Sequence, residues 1–213
     1  VDQAGAATTY SYDRLGRKIC ETLPDPDGFG PLAVPRTGFA YDSRGNVGSV
    51  TLFVANDPFF VGPVLPSVAN TLYEYDNLGR KTREWQPDPD EAGPLARPVT
   101  SFSYDADGNL TSVTDPRGFT TTYAYDGLGR KIAEISPDPD GAGPLVPLVR
   151  QFVYDAAGNL RFEIGPGGTS QSDVSFTTEH VYDALGREIR TILPDPDGPT
   201  GPAGRPTATR AFN

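Results

Sequence analysis

The sequence predicts an all-β chain, a long antiparallel meander of hairpins whose sheet curves or coils as part of a shell, tube or fibre. Three observations predict it. Tyr-Asp-x-x-Gly occurs seven times, with Tyr at 12, 41, 75, 104, 125, 154 and 182 and spacings of 29, 34, 29, 21, 29 and 28. Turn formers are abundant, with 24 Gly and 22 Pro in 213 residues. No stretch carries the 3.6-residue apolar period of a helix.

Each motif reads as the turn of a hairpin. In residues 119–136 a strand rich in Thr and aromatic side chains meets a four-residue turn and then a second strand. Asp126 is placed to accept a backbone N–H one or two residues on, as in an Asx turn. Gly129 supplies the positive φ of a type I turn with a bulge. The same roles fall to Tyr12, Asp13 and Gly16; Tyr41, Asp42 and Gly45; Tyr75, Asp76 and Gly79; Tyr104, Asp105 and Gly108; Tyr125; Tyr154, Asp155 and Gly158; and Tyr182, Asp183 and Gly186. Strands are expected at 6–12, 17–23, 36–41, 46–53, 69–75, 80–86, 99–104, 109–114, 119–125, 130–136, 148–154, 159–164, 175–182, 187–193 and 207–213. Short connections favour pairing of sequential strands. Open sheets of more than about ten strands curl.

Two flavours of turn alternate. Four copies read YDxLGR, ending at Arg17, Arg80, Arg130 and Arg187, and three read YDxxGN, ending at Asn46, Asn109 and Asn159. Each YDxLGR copy is followed by Pro-Asp-Pro-Asp, at 24–27, 87–90, 137–140 and 194–197, so the larger unit is two hairpins long with periods of 63, 50 and 57. The chain reads as one array of four such units, about 1–63, 64–113, 114–170 and 171–213. It also reads as an internal piece of a longer one: Val1–Gly5 aligns with Thr114–Gly118, and Phe212-Asn213 falls where another motif begins. An aromatic or His ring stands two residues before every motif Tyr, at Tyr10, Phe39, Tyr73, Phe102, Tyr123, Phe152 and His180. Residues i and i+2 of a strand share a face, so adjacent hairpins stack rings into ladders. All ten Tyr belong to this scheme, which argues against a catalytic Tyr.

Composition excludes several functions. Lys and Arg total 18 against 28 Asp and Glu, a net charge of −10, which is unsuited to a nucleic-acid surface. No run of 18 apolar residues exists to span a membrane as a helix. One Cys permits no internal disulfide, and one His permits no multi-His zinc site. The length of 213 residues is enough for one sizeable core or two small ones, and the apolar content, 37% before the 24 Gly are added, is normal for a globular domain.

The YDxxGR/YDxxGN alternation, over essentially the whole chain, resembles the YD-repeat or RHS-repeat family. The resemblance implies a continuous β-sheet spiralling into a hollow shell, which in bacteria encloses a toxic C-terminal domain and in animals belongs to cell-surface adhesion proteins. A secreted or cell-surface location follows from it. The family's self-cleaving aspartate segment has no counterpart here, and Asp115-Pro116-Arg117-Gly118 reads as a turn. The regular Pro-Asp loops depart from the family pattern and suggest a more uniform branch, a fibre or tube.

Candidate sites are few. Asp25, Asp27, Asp88, Asp90, Asp138, Asp140, Asp195 and Asp197 set pairs of carboxylates two residues apart in loops, a ligand type that Ca²⁺ prefers. The same loops also read as stiff solvated turns, or as contacts between repeats. Phe59 and Phe60, in the period-breaking stretch 54–68, are a binding loop or a cover for the sheet. The stretch 165–174 reads as polar and flexible. His180 reads as a substituted ring, Cys20 as exposed, and Trp85 as packed on the sheet. No catalytic constellation is present, so the expectation is a structural wall segment rather than an enzyme. Its partners are neighbouring repeats, with self-association, cargo or a surface ligand as further possibilities. An adhesion module using the insert loops, or part of a toxin-enclosing cocoon, is the alternative.

Overall fold

The computed structural model describes residues 7–26, 34–53, 67–90, 95–141, 145–198 and 204–210. It holds fifteen strands: β1 (Thr9–Tyr12), β2 (Lys18–Thr22), β3 (Arg36–Tyr41), β4 (Val47–Phe53), β5 (Ser67–Tyr75), β6 (Lys81–Trp85), β7 (Val99–Tyr104), β8 (Leu110–Thr114), β9 (Thr120–Tyr125), β10 (Lys131–Ile135), β11 (Val149–Tyr154), β12 (Leu160–Ile164), β13 (Thr177–Tyr182), β14 (Glu188–Ile192) and β15 (Thr207–Thr209). All fifteen fall where the sequence places them, and no helix occurs among the described residues. Strand order follows chain order without a crossover. Two compact units are present: Val1–Phe102 with Asp115–Arg117, and Ser103–Thr114 with Gly118–Asn213.

In the first unit, β1 to β6 pair antiparallel in succession, and Val99–Ser101 of β7 pairs with β6. In the second, β8 to β15 do the same. Because pairing is strictly sequential, the Tyr-Asp turns of each unit lie at one end of its strands and the Pro-Asp loops at the other. A register shift recurs beside the motif Tyr, as at Tyr41↔Val47, Tyr75↔Lys81, Tyr154↔Leu160 and Tyr182↔Glu188. This is the bulge that the positive-φ glycine demands. Gly129 has φ +74° and Gly45 has φ +91°.

A thick hydrophobic core is absent among the described residues, which corrects the expectation drawn from composition. Of the described residues only Ile164 and Thr177 are fully buried, and most described strand residues are half-buried. A single sheet layer leaves both faces partly wet. Its order must come from cross-strand pairs and hydrogen bonds instead of a packed interior.

The exception lies at Gly165–Phe176, within which 165–174 reads as flexible from sequence. This loop is instead closed by its own bonds: Gly165 N–H donates to Phe176 O at 2.8 Å, and Thr177 Oγ1 donates to Asp173 O at 2.7 Å. Asp195 N–H reaches Val174 O at 2.9 Å, tying a Pro-Asp loop to it. A side chain at Gly168 would lie 2.6 Å from Ile164 Cγ2, so only glycine lets the loop close over that residue.

Candidate functional site: the turn ladder and the acidic loops

The motif Asp organises its turn with both carboxylate oxygens. In Asp126, Oδ1 accepts Leu128 N–H at 2.9 Å and Arg130 N–H at 3.0 Å, while Oδ2 accepts Arg130 Nε at 2.7 Å. Asp13, Asp76 and Asp183 repeat this with Arg17, Arg80 and Arg187. In Asp42 and Asp155 the donor to Oδ2 is Asn46 or Asn159 Nδ2, at 2.9 and 3.0 Å, and Asp105 uses Asn109 likewise. The two turn flavours are therefore one device. Arg and Asn both present an N–H four residues after the Asp. Sequence reasoning placed the partners one or two residues on and missed this side chain, although its alternation between two donor residues was the available signal.

These donors favour the ionised form and hold all seven carboxyls below the ordinary Asp range. At Asp126, Asp42, Asp105 and Asp155 the side-chain donor is the largest cause. At Asp13, Asp76 and Asp183 the largest is the backbone N–H of the Arg.

The motif Tyr joins hairpins. Tyr41 Oη donates to Lys18 O at 2.7 Å, Tyr75 to Val47 O at 2.9 Å, and Tyr125 to Leu110 O at 2.9 Å. Tyr154 donates to Lys131 O at 2.9 Å, and Tyr182 to Leu160 O at 2.8 Å. Each acceptor is the second residue past the glycine of the preceding turn. Arg17 and Arg130 add their guanidinium groups over the next ring, 4.5 Å from the centroids of Tyr41 and Tyr154.

The expected ring ladders contain a cation between the rings. Lys18 Nζ lies 5.6 Å from the Tyr10 centroid and 4.5 Å from that of Phe39; Lys81 and Lys131 stand likewise between Tyr73 and Phe102, and between Tyr123 and Phe152. Each pairs with a Glu on its own strand, Glu21, Glu84 or Glu134, at 2.8, 2.6 and 2.7 Å. In the last hairpin this box is rewritten in inverse polarity. His180 takes the first ring's place, Glu188 the lysine's, Thr191 the glutamate's and Arg210 the second ring's. Glu188 Oε1 lies 2.9 Å from His180 Nδ1 and accepts the Thr191 hydroxyl, while Oε2 lies 3.6 Å from Arg210 Nη1. The Thr191 hydroxyl, then His180, holds the Glu188 carboxyl low. His180 thus occupies the ring position as expected, with a compensating set of neighbours that the single substitution did not reveal.

The Pro-Asp loops share a base and a turn. Leu23, Gln86, Ser136 and Leu193 donate their N–H groups to the carbonyls of Pro35, Pro98, Leu148 and Pro206 at 2.8–3.0 Å. Asp138 Oδ1 accepts Asp140 N–H and Gly141 N–H, and Asp140 Oδ2 accepts Leu145 N–H at 3.1 Å. Asp88 and Asp90 repeat most of this, and Asp195 accepts Asp197 N–H at 3.4 Å. Among the described residues no three His, Cys, Asp or Glu side chains come together to hold a metal ion. Asp27, Phe59 and Phe60 lie outside the described residues.

Two residues overlooked in the sequence brace these loops. Arg97 donates through Nε to Gln86 O at 3.0 Å and through Nη2 to Asn70 O. Arg205 donates in the same way to Leu193 O and Thr177 O. The recurring Arg-Pro dipeptide was the signal. Cys20 is half-buried, with Sγ 3.9 Å from Thr22 Oγ1, not exposed as its aligned positions suggest. Trp85 is half-buried and pairs with Leu72 and Val99. Asp115 accepts Arg117 N–H at 2.9 Å ahead of Gly118, at φ +88°, so that segment is a turn as expected.

Sequential antiparallel hairpins with the same Asp-centred turn define a β-repeat array in which all seven motif Asp carboxylates, and the hydroxyls of Tyr41, Tyr75, Tyr125, Tyr154 and Tyr182, hold turns or join hairpins. The family comparison touches one stretch of this array: residues 104–141 match the RHS Repeat family model. Among solved structures, the crystal structure of TcdB2-TccC3-Cdc42 matches with 16% identity and a TM-score of 0.60 over 86% of this chain. The Photorhabdus luminescens Tc holotoxin pore carrying the TccC3 D651A mutation matches over 94% of this chain, with 15% identity and a TM-score of 0.40. The chain spans 9% and 12% of those two chains. The first establishes a shared fold. No curated protein matches the sequence.

Proposed function

We propose that the chain is a structural wall segment of a large secreted or cell-surface YD-repeat protein and performs no catalysis itself. One observation carries this reading: the seven motif Asp with their Arg or Asn partners hold the turns, and the hydroxyls of Tyr41, Tyr75, Tyr125, Tyr154 and Tyr182 fasten each hairpin to the one before it. Reactive groups are not gathered apart from that scaffold among the described residues. A shell, as the family resemblance implies, and a fibre both use such a wall, with neighbouring repeats as its first partners and cargo as the partner of a shell. The adhesion reading rests on Phe59 and Phe60 and has no structural observation behind it. The Pro-Asp loops serve as stiff turns at one end of the strands, with Ca²⁺ as the ion their carboxylates would take.

Proteolysis of the native protein that carries this chain tests the proposal. A wall predicts that trypsin at neutral pH leaves the hairpins uncut despite 18 Lys and Arg. Digestion of the array at the rate of the acid-denatured protein overturns it. Repeating the thermal melt with millimolar Ca²⁺ and with chelator separates the loop readings. A melting temperature that rises with Ca²⁺ concentration assigns the ion, because a ligand of the folded state stabilises by mass action. Equal melting temperatures leave stiff turns.

A further inference from the structure

A YDxxGN turn is followed along the chain by a YDxLGR turn, and the group between them differs from copy to copy. In the first unit Arg44 reaches from its turn to the next one. It donates from Nη1 to Asp76 O at 3.0 Å and from Nη2 to Asn77 Oδ1 at 2.9 Å. Of the two such pairs in the second unit, the later one joins the turns 154–159 and 182–187. There Ala157 stands at the place of Arg44, and Ala184 at that of Asn77. Two side chains have been shortened together, and a cavity of about 550 Å³ lies between the turns, lined by Asp155, Ala157, Arg161, Glu179, Asp183 and Ala184, among others.

What remains around this cavity suits a cation with a planar fork of donors. The Asp183 carbonyl, equivalent to the Asp76 carbonyl that receives Arg44, accepts Gly186 N–H at 3.0 Å and has a second lone pair. Glu179 stands where the first unit has Leu72, so the second unit has gained a carboxylate. Its partner Arg161 is 3.8 Å away, beyond hydrogen-bond length, which leaves the carboxylate capacity for another donor. Asp155 and Asp183 stay ionised through their own turn donors and add negative potential.

We propose that the cavity between the 154–159 and 182–187 turns is a binding site for an arginine side chain, supplied by a peptide or protein segment that contacts this rim. The guanidinium takes the position that Arg44 fills within the first unit. Its planar fork donates to the Asp183 carbonyl beside the Glu179 carboxylate that lines the same cavity, a geometry that the single point of a lysine ammonium does not reproduce.

The test is an NMR titration of the 213-residue chain with N-acetyl-arginine amide, and with N-acetyl-lysine amide as comparison. The site predicts saturable shifts at the Ala157 and Ala184 amides, with a dissociation constant of order 1 mM for so small and open a site. The lysine probe binds about tenfold more weakly, having lost the bidentate fork. Ala157→Arg supplies the guanidinium from within and abolishes the saturable shifts. Glu179→Gln weakens binding several-fold and serves if Ala157→Arg does not fold. Shifts that rise linearly without saturation, equal binding of the two probes, or undiminished binding in folded Ala157→Arg or in Glu179→Gln would overturn the proposal.

Discussion

Tyr154→Phe removes one oxygen and leaves the ring in place beneath the Arg130 guanidinium. The oxygen lost is the donor to Lys131 O, at 2.9 Å, one of the bonds that fasten a hairpin to the one before it. A neutral hydrogen bond contributes a net 0.5–1.5 kcal/mol, and a carbonyl left half-wet in a single-layer sheet lies near the middle of that range, so the expected loss is about 1 kcal/mol. For a chain of this length that lowers the melting temperature by about 2–4 °C. Circular dichroism measures the melt. Hydrogen-exchange mass spectrometry localises the effect, with faster exchange expected in 131–135 and 149–154. Tyr12→Phe is the control: Tyr12 lies on β1 and is 58% exposed, so its change should stay within about 0.5 kcal/mol. Equal losses from Tyr154→Phe and Tyr12→Phe would refute the view that the hydroxyl ladder joins hairpins.

The remaining predictions use the same scaffold. Gly129→Ala meets two penalties: a φ of +74° and a new Cβ 3.3 Å from Asn109 Oδ1. Gly16→Ala, at φ +78° with nothing within 4 Å, meets only the first. The backbone term is about 1–2 kcal/mol in both, and urea denaturation should show Gly129→Ala to be the worse of the pair. All seven motif carboxyls are held below their unfolded range, so their contribution is complete above the ordinary Asp value of about 3.9 and is lost as pH falls through the depressed values. Acid unfolding followed by circular dichroism should therefore begin below about pH 4, and Asp126→Asn should flatten the slope. Glu188→Lys sets a cation against Arg210 and His180 and should lower the melting temperature. Combining it with His180→Tyr, Thr191→Glu and Arg210→Phe rebuilds the box of the other hairpins and should recover most of the loss, which a mutant cycle measures.

Strand positions were legible in the sequence because every hairpin carries its own punctuation. Gly129 at positive φ and Asp126 two residues before Leu128 fix each turn locally, and the short links leave sequential pairing as the simplest topology. Interactions between hairpins were not legible, because they depend on register. Nothing in the string shows that the Tyr154 hydroxyl falls on Lys131 O, or that Lys131 stands between Tyr123 and Phe152. The lack of a core escaped composition for a related reason. Apolar content counts residues, and burial requires a second layer that this sheet does not have over its described length. The inverted box at Glu188 was visible as four unrelated substitutions, and only pairing of β13, β14 and β15 brings them together. The Pro-Asp loops were readable as motifs, but their first use of carboxylate oxygens, accepting N–H groups of their own turn, follows from geometry.

The most direct test of the wall reading is electron cryo-microscopy of the native protein that contains this chain. The account predicts hairpins following one another in a continuous sheet, as the wall of a hollow particle or of a rod with a two-hairpin repeat. Hairpins that separate into independent modules, with no sheet continuing from one to the next, would contradict it.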